Sequence, residues 1–116
     1  ELHPAFPQTE LRRYCDAHGI RVESWFPLGG QRHKDALLGH PDLAAIGARH
    51  GKTAAQVVLR WHVQQGLVAI PKSSNPGRVR ENREIFDFAL DADAMARIAA
   101  LETGERFGPD PDTADF

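Results

Sequence analysis

The segment 67–84 limits the fold of this chain more than any other part of its sequence. Four apolar residues, Leu67 to Ile70, are typical of a short buried strand, and Pro71 ends it. A helix pattern begins after Asn75 and Pro76, and residues 77–84 are predicted to form a short helix. A strand that leads directly into a helix is typical of a parallel α/β sheet, in which helices connect neighbouring strands.

The rest of the chain repeats this alternation of strands and helices. Residues 20–25 alternate between two faces and are predicted to form a second strand. Residues 26–40, which are polar and contain Gly and His, are predicted to form a loop. Capping residues and apolar spacing predict four further helices: residues 8–18 with Thr9 as N-cap, 41–50, 53–65 with a capping box, and 92–101 after Asp91.

Two complete strands are too few to bury both faces of a parallel sheet. Glu1 to Pro4 has the pattern of the end of a third strand, and the chain begins without Met. We therefore expect an α/β fold that is incomplete as given, with the rest of the sheet supplied by a missing N-terminal part. Residues 1–104 are assigned to this body, and residues 105–116 to an irregular C-terminal tail rich in Gly, Pro and Asp.

The composition excludes several classes of function. A net charge of -2 argues against a general nucleic-acid binder. No apolar run approaches the roughly 20 residues that cross a bilayer, so no membrane partner is expected. The single cysteine, Cys15, excludes an internal disulfide and predicts a cytoplasmic protein. The helix-borne histidines lie at no metal-ligand spacing, so no metal site is predicted.

A group of cations and hydroxyls follows the strand at 67–70. In α/β folds, ligands meet the loops at the carboxyl ends of the strands, and a helix N-terminus adds free N–H groups. Lys72, Ser73, Ser74 and Arg78 occupy this position. They predict a site for a phosphorylated ligand, with a nucleotide as the first candidate. The alternative is a solvated basic face on a surface helix.

Trp25 ends the other complete strand, so parallel pairing would place it beside this basic corner. Its ring suits stacking of a heteroaromatic ring, although an ordinary rim aromatic is the alternative. The backbone N–H groups of Leu28 and Gly29 are candidates for contacting a pyrophosphate. The cations of the corner favour an additional phosphate, and hence NADP over NAD. Glu81 and Asn82 are candidates for contacting adenine.

Several motifs, in order and over the whole chain, resemble the C-terminal part of an aldo-keto reductase. The nearest group is bacterial and 2,5-diketo-gluconate-reductase-like. The resemblance implies the C-terminal portion of a (β/α)8 TIM barrel, with two full strands and the end of a third, that binds NADPH without a Rossmann fold. The motifs are Glu1-Leu2-His3-Pro4, Trp25-Phe26-Pro27-Leu28-Gly29, residues 55–62, Ile70-Pro71-Lys72-Ser73, Arg80-Glu81-Asn82 and Phe86-Asp87-Phe88.

The resemblance also implies a role for each candidate residue. Trp25 would stack on the nicotinamide, and Leu28 would meet the pyrophosphate through its backbone, with Phe26 and Gly29 beside it. Phe26 stands where the family usually has a small or hydroxyl residue, so a side-chain bond to the pyrophosphate is lost there. The adenosine end would be bound by a second set: Lys72, Ser73 and Arg78 at the ribose phosphate, Ser74 nearby, and Glu81 and Asn82 at the adenine.

The same resemblance places the catalytic residues outside this chain. The family's Asp, Tyr, Lys and His tetrad lies before Glu1, and neither His3 nor Tyr14, which has a helix-core pattern, is assigned to it. The implied function is NADP(H)-dependent reduction of a small aldehyde or ketone to an alcohol, with the fragment itself inactive. The alternatives are a non-catalytic truncated fragment that binds nucleotide or self-associates, and a redox-sensing relative that keeps the cofactor site.

Overall fold

Helices cover one face of a short parallel sheet. The computed structural model describes residues 1–115, so Phe116 of the predicted tail lies outside the described residues. Residues 105–115 contain neither helix nor strand. Within 1–115, no helix is long and apolar enough to cross a membrane. In chain order the elements are α1 (Thr9–Ala17), β1 (Glu23–Ser24), α2 (Gly30–Leu38), α3 (Pro41–His50), α4 (Ala54–Gln64), β2 (Val68–Ala69), α5 (Pro76–Glu81) and α6 (Ala92–Ala99).

The two strands pair in parallel, as the alternation of elements predicted. Glu23 lies opposite Val68 in the register, and Ser24 lies opposite Ala69. On the other edge of β1, the Leu2 N–H donates to the Trp25 carbonyl at 3.1 Å. The start of the chain therefore lies where the end of a third strand was predicted, and the α/β class is confirmed.

Both strands are only two residues long, shorter than the predicted ranges 20–25 and 67–70. Side-chain alternation reports which face a residue occupies, but it does not report which backbone groups find a partner. The ladder here consists of few bonds, among them those from the Val68 N–H to the Val22 carbonyl at 3.1 Å and from the Ile70 N–H to the Ser24 carbonyl at 3.4 Å.

The core lies between the helix-facing side of the sheet and three helices, α3, α4 and α6. On the other face of the sheet, Val68 and Ile70 are 36% and 58% exposed. Parallel sheets are normally covered on both faces, so the uncovered face fits an incomplete barrel. The core side chains include Leu43, Ile46, Val57, Val58, Trp61, Ala94 and Ile98.

Local capping residues begin two helices where they were predicted. The Thr53 Oγ1 accepts a hydrogen bond from the Gln56 N–H at 3.3 Å, and the Gln56 Oε1 accepts one from the Thr53 N–H at 3.0 Å. The Asp91 Oδ1 accepts from the Ala94 N–H at 2.8 Å. These side chains satisfy N–H groups that have no partner inside the helix, which is why each helix begins at that residue.

Two predictions about residues 8–40 are wrong. Thr9 is the first residue of α1 and does not cap it. Gln8 precedes it with φ 53°, and its side chain donates to the Glu1 carbonyl at 2.9 Å without capping the helix. Residues 26–40 are not a loop, because α2 lies within them and buries Leu37. The consecutive glycines that suggested a loop instead lead into this helix, with Gly29 in the left-handed conformation at its N-cap.

The prediction that Tyr14 belongs to the core face of α1 is also wrong. Leu11 and Tyr14 are 51% and 58% exposed, and only Cys15 is buried in this helix. Helical spacing identifies a common face, but the neighbours of the helix decide whether that face is covered. Tyr14 is therefore a surface residue in this structure and not a core residue.

Gly47 is a position where backbone crowding excludes a side chain. A Cβ added to it would lie 2.4 Å from the Lys52 carbonyl oxygen, and Gly47 itself is buried in α3. We expect Gly47→Ala to lower the free energy of unfolding by about 2–3 kcal/mol, because the Lys52 backbone must move. Urea unfolding measures this loss.

Gly51 provides the control for that substitution. It has φ 64° but no heavy atom within 4 Å of an added Cβ. Gly51→Ala is expected to lower the free energy of unfolding by only about 1 kcal/mol, which is the strain of a left-handed backbone in a residue with a Cβ. Equal losses for the two variants would contradict the crowding argument.

Candidate functional site

The carboxyl ends of the strands lie side by side at one edge of the sheet. Trp25 follows β1, and Ile70 follows β2, with the two strands in parallel register. The bond from the Leu2 N–H to the Trp25 carbonyl brings the first residues of the chain to the same edge. The structure therefore places Trp25 and the start of the basic corner at the same end of the sheet.

The basic corner is open to solvent. Lys72, Ser74 and Arg78 are exposed, and Ser73 is half-buried. Within residues 1–115, neither Lys72 nor Arg78 forms an ion pair with a carboxylate. Two exposed cations without anionic partners can bind a phosphate without first breaking an existing ion pair.

The backbone N–H groups at the start of α5 are not free, contrary to the prediction. The Asn75 Oδ1 accepts hydrogen bonds from the Gly77 N–H at 2.9 Å and the Arg78 N–H at 3.2 Å. The Ser73 Oγ accepts from the Asn75 N–H at 3.1 Å. Because the cap occupies these donors, a phosphate at this corner would be bound mainly by side chains.

The far end of α5 is fixed by the helix behind it. The Gln56 Nε2 donates to the Glu81 carbonyl at 3.0 Å and to the Glu84 carbonyl at 3.2 Å. Glu81 ends the helix with an exposed side chain, and Asn82 follows it half-buried. The capping box of α4 therefore also positions both candidates for the adenine contact.

The aromatic platform consists of Trp25 and Phe26. The two rings stack with centroids 3.8 Å apart and planes 16° apart, and Trp25 remains 47% exposed. Leu28 is half-buried and packs against the core. The Gly29 N–H donates to the Phe26 carbonyl at 2.9 Å, so this amide is already occupied, contrary to its predicted freedom for a pyrophosphate.

A carboxylate at the start of the chain holds the C-terminal tail at this end of the sheet. The Glu1 side chain is fully buried and accepts hydrogen bonds from the Phe107 N–H at 2.6 Å and the Gly108 N–H at 2.8 Å. The His3 Nε2 donates to the same carboxylate at 2.9 Å. We call these four residues the tail latch.

The pKa values of the latch follow from burial and these bonds. Burial acts to raise the pKa of the Glu1 carboxyl, but the Phe107 N–H, the His3 imidazole and the Gly108 N–H together lower it. Burial lowers the pKa of His3, although the Glu1 carboxylate acts to raise it. The latch therefore pairs an ionised carboxylate with a neutral imidazole near neutral pH.

Aromatic contacts extend the latch toward α2 and the platform. The Phe107 ring is stacked between His3 and His33, at centroid distances of 4.3 and 4.5 Å. A Cβ added to Gly108 would lie 2.8 Å from the Cζ3 of Trp25, so the tail backbone touches the indole ring. The tail therefore borders the platform.

No role was predicted for the tail latch from the sequence. One signal was present: the alternation of Glu1, Leu2 and His3 places the two polar side chains on one face of the strand end. Nothing local indicated their partners Phe107 and Gly108, because these lie more than 100 residues away along the chain.

Other features lie away from this edge. A groove of about 660 Å³ is lined by α1, α4, α6 and the residues before each strand, including Arg12, Ile20, Trp61 and Leu67. It is therefore close to the amino ends of the strands, opposite Trp25. Within residues 1–115 no cluster of His, Cys, Asp and Glu could hold a metal ion.

A buried histidine links α4 to the first residues of the chain. The His62 side chain is fully buried, with Nδ1 2.8 Å from the Val58 carbonyl and Nε2 3.2 Å from the Leu2 carbonyl. Burial lowers the pKa of His62, while the bonds to Val58 and Leu2 act to raise it, and the net direction is down.

Acidification is therefore expected to destabilise the fold. A pKa that is lower in the folded state gives stability that is present above the unfolded value of 6.5 and lost as pH falls. The His3 and His62 imidazoles act in the same direction. We expect the free energy of unfolding, measured by urea unfolding, to fall below about pH 6.5, by up to about 1.4 kcal/mol per pH unit for each proton taken up on unfolding.

His62→Gln provides the matched comparison, because the amide does not titrate. It should be less stable at neutral pH and show a shallower decline with acid. An unchanged pH slope in this variant would mean that His62 does not contribute.

Sequence comparison with known proteins identifies one family. The sequence model described as Aldo/keto reductase family matches residues 1–103. An aldo-keto reductase from Mycobacterium sp. (strain KMS) is 49% identical over 116 residues, which is 100% of this chain and 41% of that protein. The 2,5-diketo-D-gluconic acid reductase B of Corynebacterium sp. (strain SHS752001) is 50% identical over 113 residues, or 97% of this chain and 40% of that protein.

Solved structures show the same similarity in three dimensions. A mutant of Gox0644 in complex with NADPH superposes with a TM-score of 0.91 at 48% identity, covering 100% of this chain and 42% of that one. MGS-M4, an aldo-keto reductase enzyme from a deep-sea metagenome library, superposes with a TM-score of 0.95 at 34% identity, covering 100% and 43%. The chain thus spans about two fifths of the length of these proteins and corresponds to part of their barrel.

Proposed function

Because the chain belongs to the aldo/keto reductase family, we propose that it is the cofactor-binding part of an NADP(H)-dependent reductase of small aldehydes or ketones. One observation carries the proposal: parallel pairing of β1 and β2 brings Trp25 and the basic corner to the same edge of the sheet. The NADPH complex of Gox0644, which shares this fold, supports the choice of cofactor.

Each end of the cofactor is assigned to a separate group of residues. Trp25 would stack on the nicotinamide, with Phe26 against it and the backbone N–H of Leu28 facing the pyrophosphate. Gly29 would lie beside the pyrophosphate, with its own N–H bonded to the Phe26 carbonyl. The adenosine end would lie along α5 and the loop before it, where Lys72, Ser73 and Arg78 would hold the ribose phosphate, with Ser74 nearby, and Glu81 and Asn82 would contact adenine. NADPH supplies the hydride, and the residues of this chain bind and orient it.

The residues that are present fit a cofactor with a phosphate on its ribose. Lys72 and Arg78 are exposed and have no carboxylate partner among the described residues. A guanidinium can bind a phosphate monoester through two parallel hydrogen bonds. Binding to the chain, followed by fluorescence, should therefore be tighter for NADPH than for NADH. Equal affinity for the two would contradict the proposed phosphate site.

The catalytic Asp, Tyr, Lys and His are assigned to a part of the protein that precedes Glu1. His3 is buried in the tail latch, and Tyr14 lies on the exposed surface of α1, so neither is placed to protonate a substrate. We expect the 116-residue chain to bind cofactor without turnover. Oxidation of NADPH by the purified chain, in the presence of a simple aldehyde, would contradict this division of roles.

The partner that completes the site is an N-terminal part of the same barrel. Val68 and Ile70 expose an apolar sheet face, and the relatives are about two and a half times as long as this chain. Exposed apolar faces of this kind favour association.

The second candidate is a non-catalytic fragment that self-associates through the same face. Sedimentation of the purified chain separates the two candidates. A stable dimer that does not dissociate when the N-terminal part of a relative is added would favour the second. A cytoplasmic location stays a prediction from the single cysteine.

A further inference from the structure

Phe26 has a backbone conformation that a bulky residue normally avoids. Its φ is 53°, in the left-handed region, and within residues 1–115 only Gln8 among the other non-glycine residues has a positive φ. A side chain with a Cβ is strained in this region. Such strain persists only where surrounding contacts enforce it, and it often marks a functional position.

Two neighbours constrain the Phe26 ring in this conformation. The ring stacks face to face with Trp25, at 3.8 Å and 16°. Gly30 also lies close to the ring, since a Cβ added to Gly30 would be 2.8 Å from the Cε2 of Phe26. Because Gly30 has no side chain, the Phe26 ring has room to lie against the indole.

We propose that Phe26 is a positioning residue that fixes the plane of the Trp25 indole and covers one of its two faces. A flat heteroaromatic ring can then stack only on the face that Phe26 leaves open. The identity of that ring as a nicotinamide rests on the proposed function, whereas the positioning of Trp25 does not. Gly108 touches the six-membered part of the indole and limits the open surface further.

This arrangement has a physical benefit for binding. A half-exposed tryptophan that is free to rotate must be ordered when a ligand stacks on it, and this ordering weakens binding. Stacking on Phe26 orders the indole beforehand. The strained backbone of Phe26 therefore has a use in preorganising the platform.

Fluorine NMR of protein labelled with fluorotryptophan tests the proposal directly. The chain has two tryptophans, Trp25 at the platform and Trp61 in the core, so Trp61 serves as an internal control for folding. Trp25→Phe assigns the two signals. We expect Phe26→Ser to move the Trp25 signal toward that of a solvent-exposed indole and to leave the Trp61 signal in place.

Two further variants separate stacking from simple loss of a side chain. Phe26→Tyr keeps the aromatic ring and should keep the Trp25 signal. Gly30→Ala keeps Phe26 but fills the space beside it, so it should move the Trp25 signal as Phe26→Ser does. Because Gly30 has φ 65°, an unmoved Trp61 signal must show that the added backbone strain leaves the core folded. If Phe26→Ser unfolds the chain, shown by movement of the Trp61 signal, Phe26→Leu and Gly30→Ala carry the test.

Cofactor titration then tests the consequence for binding. Phe26→Ser is expected to weaken NADPH binding about 2- to 10-fold, and Phe26→Tyr to restore it. An unmoved Trp25 signal in both Phe26→Ser and Gly30→Ala would overturn the positioning role, whatever the cofactor. If the Trp25 signal moves in these variants but the wild-type chain binds no NADPH, the positioning role stands and the proposed function is contradicted instead.

Discussion

Arg78→Ala is expected to weaken NADPH binding about 10- to 100-fold, the range of one or two hydrogen bonds to a charged group. Arg78 is exposed, belongs to α5 and has no carboxylate partner within residues 1–115, so its guanidinium is free for the ribose phosphate. Because NADH lacks this phosphate, its affinity should change little. Parallel titrations with the two cofactors measure the effect as a change in their ratio.

The control removes the same charge from a neighbouring position. Arg83 is also exposed and follows α5, but it lies beyond the proposed phosphate site. Arg83→Ala should alter NADPH affinity by less than about threefold, the effect of a screened surface charge. If the two variants weakened NADPH binding equally, the corner would act as a diffuse basic surface, which is the alternative to a phosphate site.

Lys72→Ala should also weaken NADPH binding, but less than Arg78→Ala does, because an ammonium acts as a point charge and cannot form two parallel hydrogen bonds.

Glu1→Ala is expected to lower the free energy of unfolding by about 2–4 kcal/mol, since it removes the charged acceptor from three donors, of which His3 is buried and Phe107 and Gly108 are half-buried. The Glu1 carboxylate is fully buried and accepts from the N–H groups of Phe107 and Gly108 and from the His3 imidazole. Urea unfolding measures the loss. Hydrogen exchange at the Phe107 and Gly108 amides shows whether the tail is released.

Glu10→Ala is the matched control, because Glu10 forms an ion pair with Arg13 whose two side chains are 82% and 71% exposed. Its effect should stay within about 0.5 kcal/mol. The pH dependence adds a second check. The pKa of Glu1 is lowered from 4.5 in the folded state, so its contribution is present above that value and lost as pH falls through the lower folded pKa. A difference between wild type and Glu1→Ala that persisted in acid would contradict the ionised latch.

Part of the fold could be predicted because it depends on neighbouring residues. Thr53 with Gln56, and Asp91, cap helices within one turn of their own position. Asn75 ends an extended segment and begins α5 in the same way. The alternation of strand and helix patterns predicted the parallel pairing of β1 and β2, because parallel strands require a connecting element.

Part of the candidate site could be predicted for a related reason. Trp25 and the basic corner directly follow the two strands, so parallel pairing was enough to bring them to one edge. The occupied N–H groups were not predicted. Asn75 was identified as a helix boundary, but its bonds to Gly77 and Arg78, and that of Gly29 to Phe26, depend on the detailed conformation of each turn.

The sequence by itself determined where most of the helices begin and end, which strands pair in parallel, and which residues follow the strand ends. These features depend on hydrogen bonds within one turn and on the period of the side chains. Only the tertiary structure decided that α2 replaces a predicted loop, that Tyr14 faces solvent, that Phe26 covers Trp25, and that Glu1 holds Phe107 and Gly108. The position of α2, the exposure of Tyr14 and the bonds of Glu1 depend on which surfaces meet across the fold, and Glu1 lies 106 residues from Phe107 along the chain. Trp25 and Phe26 are neighbours, but their stacking depends on the left-handed backbone of Phe26, which no side-chain period predicts.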